Sequence, residues 1–303
     1  MRHTRSRTTL LTAALLTAAL LTAALLTGCD AHDGSSAAPS HSTAPPAAAF
    51  KGLEQRFGAR LGLYALDTGT GREVTYRADE RFAHASTFKA LATGALLRHA
   101  SDADLEQVVN YGPRDLQKWA PVTAKHTGTG MRLRELADAA MRYSDNTAAN
   151  LILDRLGGPS GLQRQLFELG DSTTNINRPE PDLNEATPGD PRDTSTPRAL
   201  AADLRRFVLG DALSPGRRRL LTDWLMGNTT GGPYIRAGVP AGWKVGDKTG
   251  NGGYGTRNDI AVAWPPSGRP VVIVILSDRA KANASSDDSL IADATKAAVS
   301  SLG

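Results

Sequence analysis

Several features that mark particular classes of protein are scarce or absent in this sequence. Cys29 is the only cysteine, so no disulfide can form within the chain. The six histidines show no His-x-His or His-Glu-x-x-His spacing, which disfavours metal-dependent hydrolysis. No Gly-x-Ser-x-Gly elbow occurs, which disfavours the triad hydrolases that carry their serine in that motif. We therefore expect neither a metal ion nor a cofactor.

Charge of one sign is not concentrated anywhere either. The net charge is +4, and no block of lysine and arginine is interleaved with aromatic residues, so we expect no nucleic-acid partner. The 303 residues are 40% hydrophobic and 22% charged, which is ordinary for a globular protein. This length suffices for one large domain or for two intertwined ones.

The one long apolar run lies at the N-terminus, where three arginines precede "LLTAALLTAALLTAALLTG" and the run ends at Gly28. This order is typical of an export signal over residues 1–28. The signal ends in "LTGC", which resembles the bacterial lipobox, whose cysteine is lipidated and becomes the first mature residue. We expect a protein lipid-anchored through Cys29 to the outer face of the bacterial cell membrane, with some of it released outside the cell. The alternative is an uncleaved transmembrane anchor, since about 18 apolar residues could just span a bilayer.

The rest of the chain reads as a tether followed by a folded domain. Residues 29–49 are small, polar and proline-containing, which predicts a flexible tether and places the domain at residues 50–303. Alternating residues around "DTGTG" predict a β-hairpin, and "WKVGDKTG", "DIAVAWP" and "PVVIVILSD" predict late strands. Helical spacing dominates the segment between them. We therefore predict an α/β fold of the α+β type. One antiparallel sheet uses both chain ends, about 50–81 and 225–303, and is flanked by helices, with an all-helical part, about 82–224, inserted between.

The first candidate for chemistry is the pair Ser86 and Lys89 in "ASTFKALA". Their spacing of three puts both side chains on one face of a helix. Because the flanking residues are apolar on nearly every side, the ammonium group is expected to be buried and to need a partner. A serine hydroxyl becomes a good nucleophile when a neighbouring base takes its proton, and a desolvated lysine can be that base. The alternative is a helix-capping serine followed by a lysine that extends to solvent.

Two further short motifs follow in the chain. Ser144-Asp145-Asn146 lies between two predicted helices, and Lys248-Thr249-Gly250 ends a predicted strand. Each alone is compatible with an ordinary helix cap or a glycine turn. Ser-x-x-Lys, Ser-Asp-Asn and Lys-Thr-Gly in this order are a known signature of class A β-lactamases and penicillin-binding proteins. From about residue 50 to its C-terminus, the chain resembles a class A serine β-lactamase.

A long loop between the second and third motifs helps to distinguish a class A β-lactamase from a penicillin-binding protein. The segment "STTNINRPEPDLNEATPGDPRDTST" has four prolines and no apolar period, and a loop of this length in a compact domain is usually functional. Within it, "RPEPDLNEA" resembles the Ω-loop of the family. The resemblance implies that Glu180 and Asn184 hold the hydrolytic water, and that Arg178 and Asp193 form the ion pair at the neck of the loop. The alternative is a solvated acidic loop.

The resemblance also implies catalytic roles. Ser86 is the nucleophile that opens the lactam and carries the acyl group. Lys89 is one candidate for the base of acylation, and Glu180 acting through water is the other, so this choice stays open. Ser144 passes the proton to the lactam nitrogen, and Asn146 binds the side-chain amide of the substrate.

The remaining residues implied by the resemblance bind the substrate. The backbone N–H groups of Ser86 and Asn251 form the oxyanion hole. Lys248, Thr249 and Arg257 hold the substrate carboxylate. Trp119 either lines the mouth of the cleft or anchors a surface loop. Asn251 departs from the family, which more often has a small residue after Lys-Thr-Gly, and its side chain bears on which substrates fit.

Three other functions share part of this pattern. A penicillin-binding D,D-peptidase has all three motifs but does not require Glu180 and Asn184 in an Ω-loop. A β-lactam sensor stays acylated at its serine and normally needs a transmembrane segment, which we do not find in the sequence after Gly28. A serine glutaminase shares only the Ser-x-x-Lys pair. We therefore expect hydrolysis of penicillin- or cephalosporin-type antibiotics by a monomer, which gives antibiotic resistance.

Overall fold

The structure is a computed structural model and describes residues 46–303. The strands are β1 Arg60–Asp67, β2 Glu73–Tyr76, β3 Phe82–Ala83, β4 Val108–Val109, β5 Met131–Arg132, β6 Thr194–Ser195, β7 Lys244–Asn251, β8 Arg257–Trp264 and β9 Val271–Asp278. The α-helices are α1 Pro46–Phe57, α2 Phe88–His99, α3 Asp102–Glu106, α4 Leu133–Arg142, α5 Asn146–Arg155, α6 Gly158–Glu168, α7 Pro197–Val208, α8 Pro215–Met226, α9 Ile235–Gly238 and α10 Ser289–Leu302. Short 3₁₀ turns cover Ala85–Thr87, Pro113–Asp115, Thr123–Lys125 and Asp182–Asn184.

The central sheet is built from both ends of the described chain, as predicted. Its strand order is β2-β1-β9-β8-β7, and every neighbouring pair is antiparallel. Strand β9 lies in the middle of the sheet and is buried along its whole length, which explains its continuous apolar run. Strand β7 forms one edge of the sheet, and its C-terminal half carries the Lys-Thr-Gly motif.

Two apolar cores cover the two faces of this sheet. On one face, α1 and α10 pack through side chains such as Phe50 and Leu290 against Leu63 and Ile273. On the other face, α7 and the helices of the middle segment pack against side chains such as Val262. Side chains alternate between the faces of a strand, so each strand serves both cores. The predicted arrangement of a sheet flanked by helices, with a helical part inserted, is confirmed.

The structure differs from the sequence prediction at two helices. Residues 46–49, which composition assigned to the tether, form the first turn of α1. Pro46 stands where a helix tolerates proline, alanines with high helix propensity follow, and Phe50 is fully buried. Helix α6 was also missed, because Gly157 and Gly158 ended the predicted α5. Both glycines adopt a left-handed φ that ends one helix, and the chain then starts another at once.

The described residues contain no helix with the length and hydropathy needed to cross a membrane. The predicted signal and Cys29 lie outside the described residues.

Candidate active site

The nucleophile candidate lies on a short turn that leads into a buried helix. Ser86 is in the 3₁₀ turn Ala85–Thr87, which continues directly as α2. Ala85 has a left-handed φ of 45°, a conformation that is costly for a residue with a Cβ and is found preferentially at functional sites. The side chain of Asn258 on β8 fixes the approach to this turn by donating to the carbonyl of Ala83 at 2.7 Å. The turn is therefore held from the sheet side.

Lys89 is buried and fully partnered, so the alternative of a lysine extending to solvent is wrong. Its side chain is 1% exposed, and its Nζ lies 2.9 Å from Glu180 Oε1. The Nζ also donates to Asn146 Oδ1 at 2.6 Å and to the Ser144 carbonyl at 2.8 Å. Burial lowers the pKa of Lys89, while the charge of Glu180 and its hydrogen bond oppose this effect. The Lys89 ammonium group thus connects the first motif to the second motif and to the Ω-loop.

The Ser-Asp-Asn motif divides its work between structure and site. Asp145 is the N-cap of α5 and accepts from the Ala148 amide at 3.0 Å, so the capping interpretation holds for this residue. Asp145 also accepts from the Thr123 amide at 2.9 Å, which ties the preceding loop to the helix. The residues on either side, Ser144 and Asn146, line the catalytic cavity described below.

The Lys-Thr-Gly motif brings a second buried cation beside the first. Lys248 Nζ donates to Ser144 Oγ at 3.0 Å, and the Thr249 hydroxyl lies 2.6 Å from that of Thr230. Burial, reinforced by the nearby charge of Lys89, lowers the pKa of Lys248 to about 7. Since Lys89 Nζ is 3.3 Å from the same hydroxyl, Ser144 connects both lysines.

Gly250 allows β7 to pass close to the nucleophile turn. A Cβ at this position would lie 2.9 Å from the carbonyl oxygen of His84 and 3.1 Å from the Thr87 nitrogen. The absence of a side chain therefore sets the distance between β7 and the turn that carries Ser86.

Replacing Gly250 by alanine is expected to push β7 away from Ser86. We expect kcat/KM for a β-lactam to fall by about 100-fold, since a displacement of reacting groups by about 1 Å can cost that much. Gly232→Ala is the matched control, because a Cβ at Gly232 meets no atom within 4 Å. Steady-state kinetics on both variants, with thermal unfolding to check folding, measures the effect. Equal kcat/KM values for the two variants would show that the close approach does not matter.

Glu180 is held by the helical part and faces Ser86. Asn150 brackets the residue: its Nδ2 donates to the Glu180 carbonyl at 2.8 Å and its Oδ1 accepts from the Glu180 amide at 2.9 Å. The Ser86 hydroxyl donates to Glu180 Oε1 at 2.8 Å, and Asn184 Nδ2 donates to Glu180 Oε2. Glu180 itself is 2% exposed. Because this carboxylate is buried and bonded to the nucleophile, the solvated-loop alternative is wrong.

The ion pair predicted for the neck of the Ω-loop is present. Arg178 Nε lies 2.6 Å from Asp193 Oδ2, and the Asp193 side chain is 1% exposed. The other oxygen of Asp193 accepts from the backbone amides of Asn177 and Arg178 at 2.8 and 3.0 Å. Because the Asp193 carboxylate accepts from several donors, it holds together the two chain segments that form the neck, at residues 177–178 and at residue 193.

Most of the predicted site residues meet in one cavity of about 290 Å³. Its lining residues are Ser86, Trp119, Ser144, Asn146, Asn184, Thr230, Thr249 and Asn251. Trp119 lies at the mouth, where 57% of it is exposed. Its Nε1 donates to the Tyr143 carbonyl at 3.0 Å, so it both lines the cleft and anchors its loop.

Arg257 is not brought into the lining of this cavity. It lies opposite Asn251 in the β7–β8 register, but its Nε donates to Asp288 Oδ1 at 2.9 Å. It lines a different pocket, together with Arg56 and Arg279. The pairing with Asp288 at the start of α10 draws the guanidinium to that side of β8.

Sequence reasoning missed three residues that contact site groups. Thr230 hydrogen-bonds Thr249, Asn150 brackets Glu180, and the Tyr234 hydroxyl donates to Asn251 Oδ1 at 3.3 Å. All three act on residues distant in sequence and belong to no motif, so spacing alone could not identify them.

Comparison with known proteins agrees with this geometry. The family model described as "Beta-lactamase enzyme family" matches residues 45–302. The chain belongs to the β-lactamase family. It is 57% identical over 270 residues to a β-lactamase of Amycolatopsis lactamdurans, covering 88% of this chain and 89% of that protein. It is also 56% identical over 254 residues to β-lactamase 3 of Bacillus cereus, covering 84% and 80% of the two chains.

Solved structures place the chain among the class A β-lactamases. The class A β-lactamase from Clostridium kluyveri DSM 555 superposes with a TM-score of 0.84 at 50% identity, covering 84% of this chain and 98% of that one. A halotolerant bacterial β-lactamase gives a TM-score of 0.83 at 52% identity, covering 84% and 98%. The predicted fold class and the resemblance to the class A β-lactamases are confirmed, and the protein is a β-lactamase-family enzyme.

Proposed function

We propose that the chain hydrolyses the β-lactam ring of penicillin- and cephalosporin-type antibiotics, and so gives antibiotic resistance, through an acyl-enzyme on Ser86 that a Glu180-activated water removes. The observation that carries the proposal is one carboxylate oxygen of Glu180 that contacts both Ser86 and Lys89. Glu180 Oε1 lies 2.8 Å from Ser86 Oγ and 2.9 Å from Lys89 Nζ, beside an open cavity. This arrangement supports both the activation of the serine and the later activation of water.

Acylation begins with transfer of the serine proton. The Ser86 hydroxyl donates to Glu180 Oε1, and within residues 46–303 no hydrogen bond joins Ser86 to Lys89. This geometry favours Glu180 as the group that receives the proton, with Lys89 stabilising the carboxylate. Ser86 Oγ then attacks the lactam carbonyl carbon, an ester bond forms and the lactam C–N bond breaks.

The lactam nitrogen must gain a proton as that bond breaks. Ser144 Oγ lies in the cavity and contacts Lys248 Nζ at 3.0 Å and Lys89 Nζ at 3.3 Å. Two ammonium groups facing one hydroxyl favour its donation of a proton to the nitrogen. Lys89 can then restore that proton and take up the one that Glu180 received from Ser86 across their 2.9 Å contact, which leaves Glu180 ionised for deacylation. The pKa of Lys248, lowered to about 7, lets this lysine serve in the same transfer to Ser144.

Deacylation uses the same carboxylate on a water molecule. Glu180 and Asn184 are adjacent, and an amide beside an ionised carboxylate can hold a water next to the ester carbonyl. Glu180 takes a proton from the water, the oxygen attacks the ester carbon, and Ser86 Oγ leaves and regains its proton. General-base catalysis of this kind is worth about 10²–10⁴-fold.

The remaining groups position the substrate. The backbone N–H groups of Ser86 and Asn251, which share the cavity, form the oxyanion hole. Lys248 and Thr249 bind the substrate carboxylate, and Asn146 binds its side-chain amide. Arg257 lies opposite Asn251 in the β7–β8 register but pairs with Asp288, so its effect on the carboxylate is indirect.

Turnover distinguishes this function from its rivals. Benzylpenicillin in hundredfold excess is expected to be consumed completely by the wild-type enzyme, whereas the Ser86→Ala variant should bind it without hydrolysis. Consumption of only one equivalent per protein would instead indicate a penicillin-binding peptidase or a sensor.

We further propose that the mature protein is a monomer, lipid-anchored to the outer face of the cell membrane through Cys29. Two features of the sequence support the lipid anchor: "LTGC" resembles a lipobox, and Cys29 within it is the only cysteine. One acyl chain binds membranes only marginally, so we expect two or more. Mass spectrometry of the mature N-terminus is expected to find an acylated Cys29, and an unmodified Cys29 or another first residue would contradict the proposal.

A further inference from the structure

His84 lies between the nucleophile turn and the Ω-loop neck and takes no part in the mechanism above. It is fully buried, and both ring nitrogens point at carbonyl oxygens. Nδ1 lies 3.0 Å from the oxygen of Ala85, the residue before Ser86, and Nε2 lies 3.1 Å from the oxygen of Asn175. Asn175 belongs to the neck, since its amide donates to the Thr194 carbonyl at 2.9 Å.

A neutral imidazole cannot donate to both carbonyl oxygens, because only one of its nitrogens carries a proton. The Ala85 oxygen already accepts from the Phe88 amide. Within residues 46–303, the Asn175 oxygen has only the His84 ring as a donor. The proton therefore belongs on Nε2, where it satisfies the otherwise unpaired carbonyl of the neck. The lone pair of Nδ1 then faces the Ala85 oxygen at 3.0 Å without a hydrogen bond, a repulsive contact at the residue that already has a left-handed φ.

We propose that His84 is a positioning residue for the hydrolysis assigned above: its ring joins the neck of the loop that carries Glu180 to the turn that carries Ser86. This inference rests on the proposed function. The ring has the right place for the task, because deacylation needs Glu180, a water and the ester on Ser86 to keep fixed distances.

Protonation of His84 would change this link. A proton on Nδ1 adds a hydrogen bond to Ala85 and places a charge beside the nucleophile turn. Burial lowers the pKa of His84. This shift is opposed by the Ala85 carbonyl, the Asp193 charge, the Asn175 carbonyl and the Glu180 charge. The Phe88 ring packs against the His84 ring, with 5.8 Å between the ring centroids. Because the folded-state pKa lies below the ordinary value of 6.5, the neutral ring stabilises the fold above that value, and this contribution is lost as pH falls through the folded-state pKa.

Two variants separate the link from simple packing. His84→Phe fills a similar volume but has no donor, and it is expected to lower the single-turnover deacylation rate of benzylpenicillin about 5- to 30-fold with little change in KM. His84→Gln has an amide that can donate to Asn175, and it is expected to restore the rate to within about 3-fold at pH 7. The wild type is expected to show an inflection below pH 6.5 that the Gln variant lacks. His99→Phe, at an exposed histidine of α2, is the matched control.

Unaltered deacylation and an unaltered pH profile in both variants would overturn the proposal, as would a Gln variant no better than Phe. If the Phe variant does not fold, the kinetics of the Gln variant and the tautomer of the His84 ring in the wild type test the proposal instead. In the full-length wild type, ¹⁵N chemical shifts of the ring, assigned by their loss in His84→Gln, are expected to show the Nε2–H tautomer. An Nδ1–H tautomer would contradict the inference. This measurement needs no substrate, so its outcome is separate from a failure of the wild type to turn over β-lactams.

Discussion

The Glu180→Gln variant is expected to deacylate about 10²–10⁴-fold more slowly than the wild type, the largest effect that we predict for any residue other than Ser86. Glutamine keeps the shape of the side chain and a carbonyl oxygen near Ser86, but it cannot accept a proton from water at neutral pH. The variant also loses the group that accepts the Ser86 proton and the negative charge 2.9 Å from Lys89 Nζ, so acylation is expected to slow as well and to depend on Lys89, the other candidate base.

Stopped-flow kinetics with a chromogenic cephalosporin measures both steps. A first phase equal to the enzyme concentration, slower than acylation of the wild type, followed by much slower turnover is expected for the variant. Glu168→Gln, at an exposed residue of α6, is the matched control and should behave as the wild type does. A Glu180→Gln variant with wild-type kcat would show that another group activates the water.

The second large effect concerns stability and arises from a buried pair of carboxyl groups. Asp203 on α7 is fully buried, and Asp171, after α6, is 5% exposed. Both oxygens of Asp203 and Oδ2 of Asp171 lack a partner among the donors of the described residues. The nearest cation, Arg206 Nη1, is 3.6 Å from Asp203 Oδ1. A proton shared between the two carboxyl groups satisfies this arrangement.

The pKa shifts of the pair agree with one shared proton. Burial, followed by the charge of Asp171, raises the pKa of Asp203 to about 9. Burial also acts to raise the pKa of Asp171, but hydrogen bonds from Asp203, Thr174 and Thr173 lower it. The proton therefore resides on Asp203 at neutral pH. Since the folded state keeps a proton that the unfolded chain loses above pH 3.8, stability falls as pH rises from there to about 9.

Asp203→Asn is expected to remove this pH-dependent cost, because an amide donates to Asp171 without binding a proton. The loss in the wild type approaches about 1.4 kcal/mol per pH unit within that window. The Tm advantage of the variant over the wild type is therefore expected to be larger at pH 8 than at pH 5 by about 8–16 °C, at about 2–4 °C per kcal/mol. Asp211→Asn, at an exposed aspartate, is the control for calorimetry. A variant that is less stable at both pH values, or a difference independent of pH, would contradict the shared proton.

The sequence predicted those parts of the site that depend on short motifs. Ser86 and Lys89 share a helical face, and the apolar flanks correctly implied a buried ammonium in need of a partner. The partner itself, Glu180, was not predicted, because a loop without periodicity gives no contact information, and the resemblance placed Glu180 only at the hydrolytic water and as a candidate base. Strands β8 and β9 were predicted from their apolar runs, whereas β7, predicted within "WKVGDKTG", has no such run.

The residues that were missed depend on contacts between distant segments. Asp203 lies between Leu200 and Leu204 on the apolar stripe of α7, so its position on that stripe could have indicated a buried carboxyl group. Its partner, Asp171, could not have been inferred. For Arg257 the strand position was predicted correctly, but its side chain pairs with Asp288 and does not line the cavity, a contact that the sequence does not reveal.

Intact-protein mass spectrometry after mixing with benzylpenicillin shows whether Ser86 carries an acyl group that Glu180 removes. The wild type is expected to return to its unmodified mass within seconds. The Glu180→Gln variant should keep an adduct of one penicillin, which peptide mapping locates on Ser86. A long-lived adduct on the wild type, or an adduct on any residue other than Ser86, would show that this assignment of Ser86 and Glu180 is wrong.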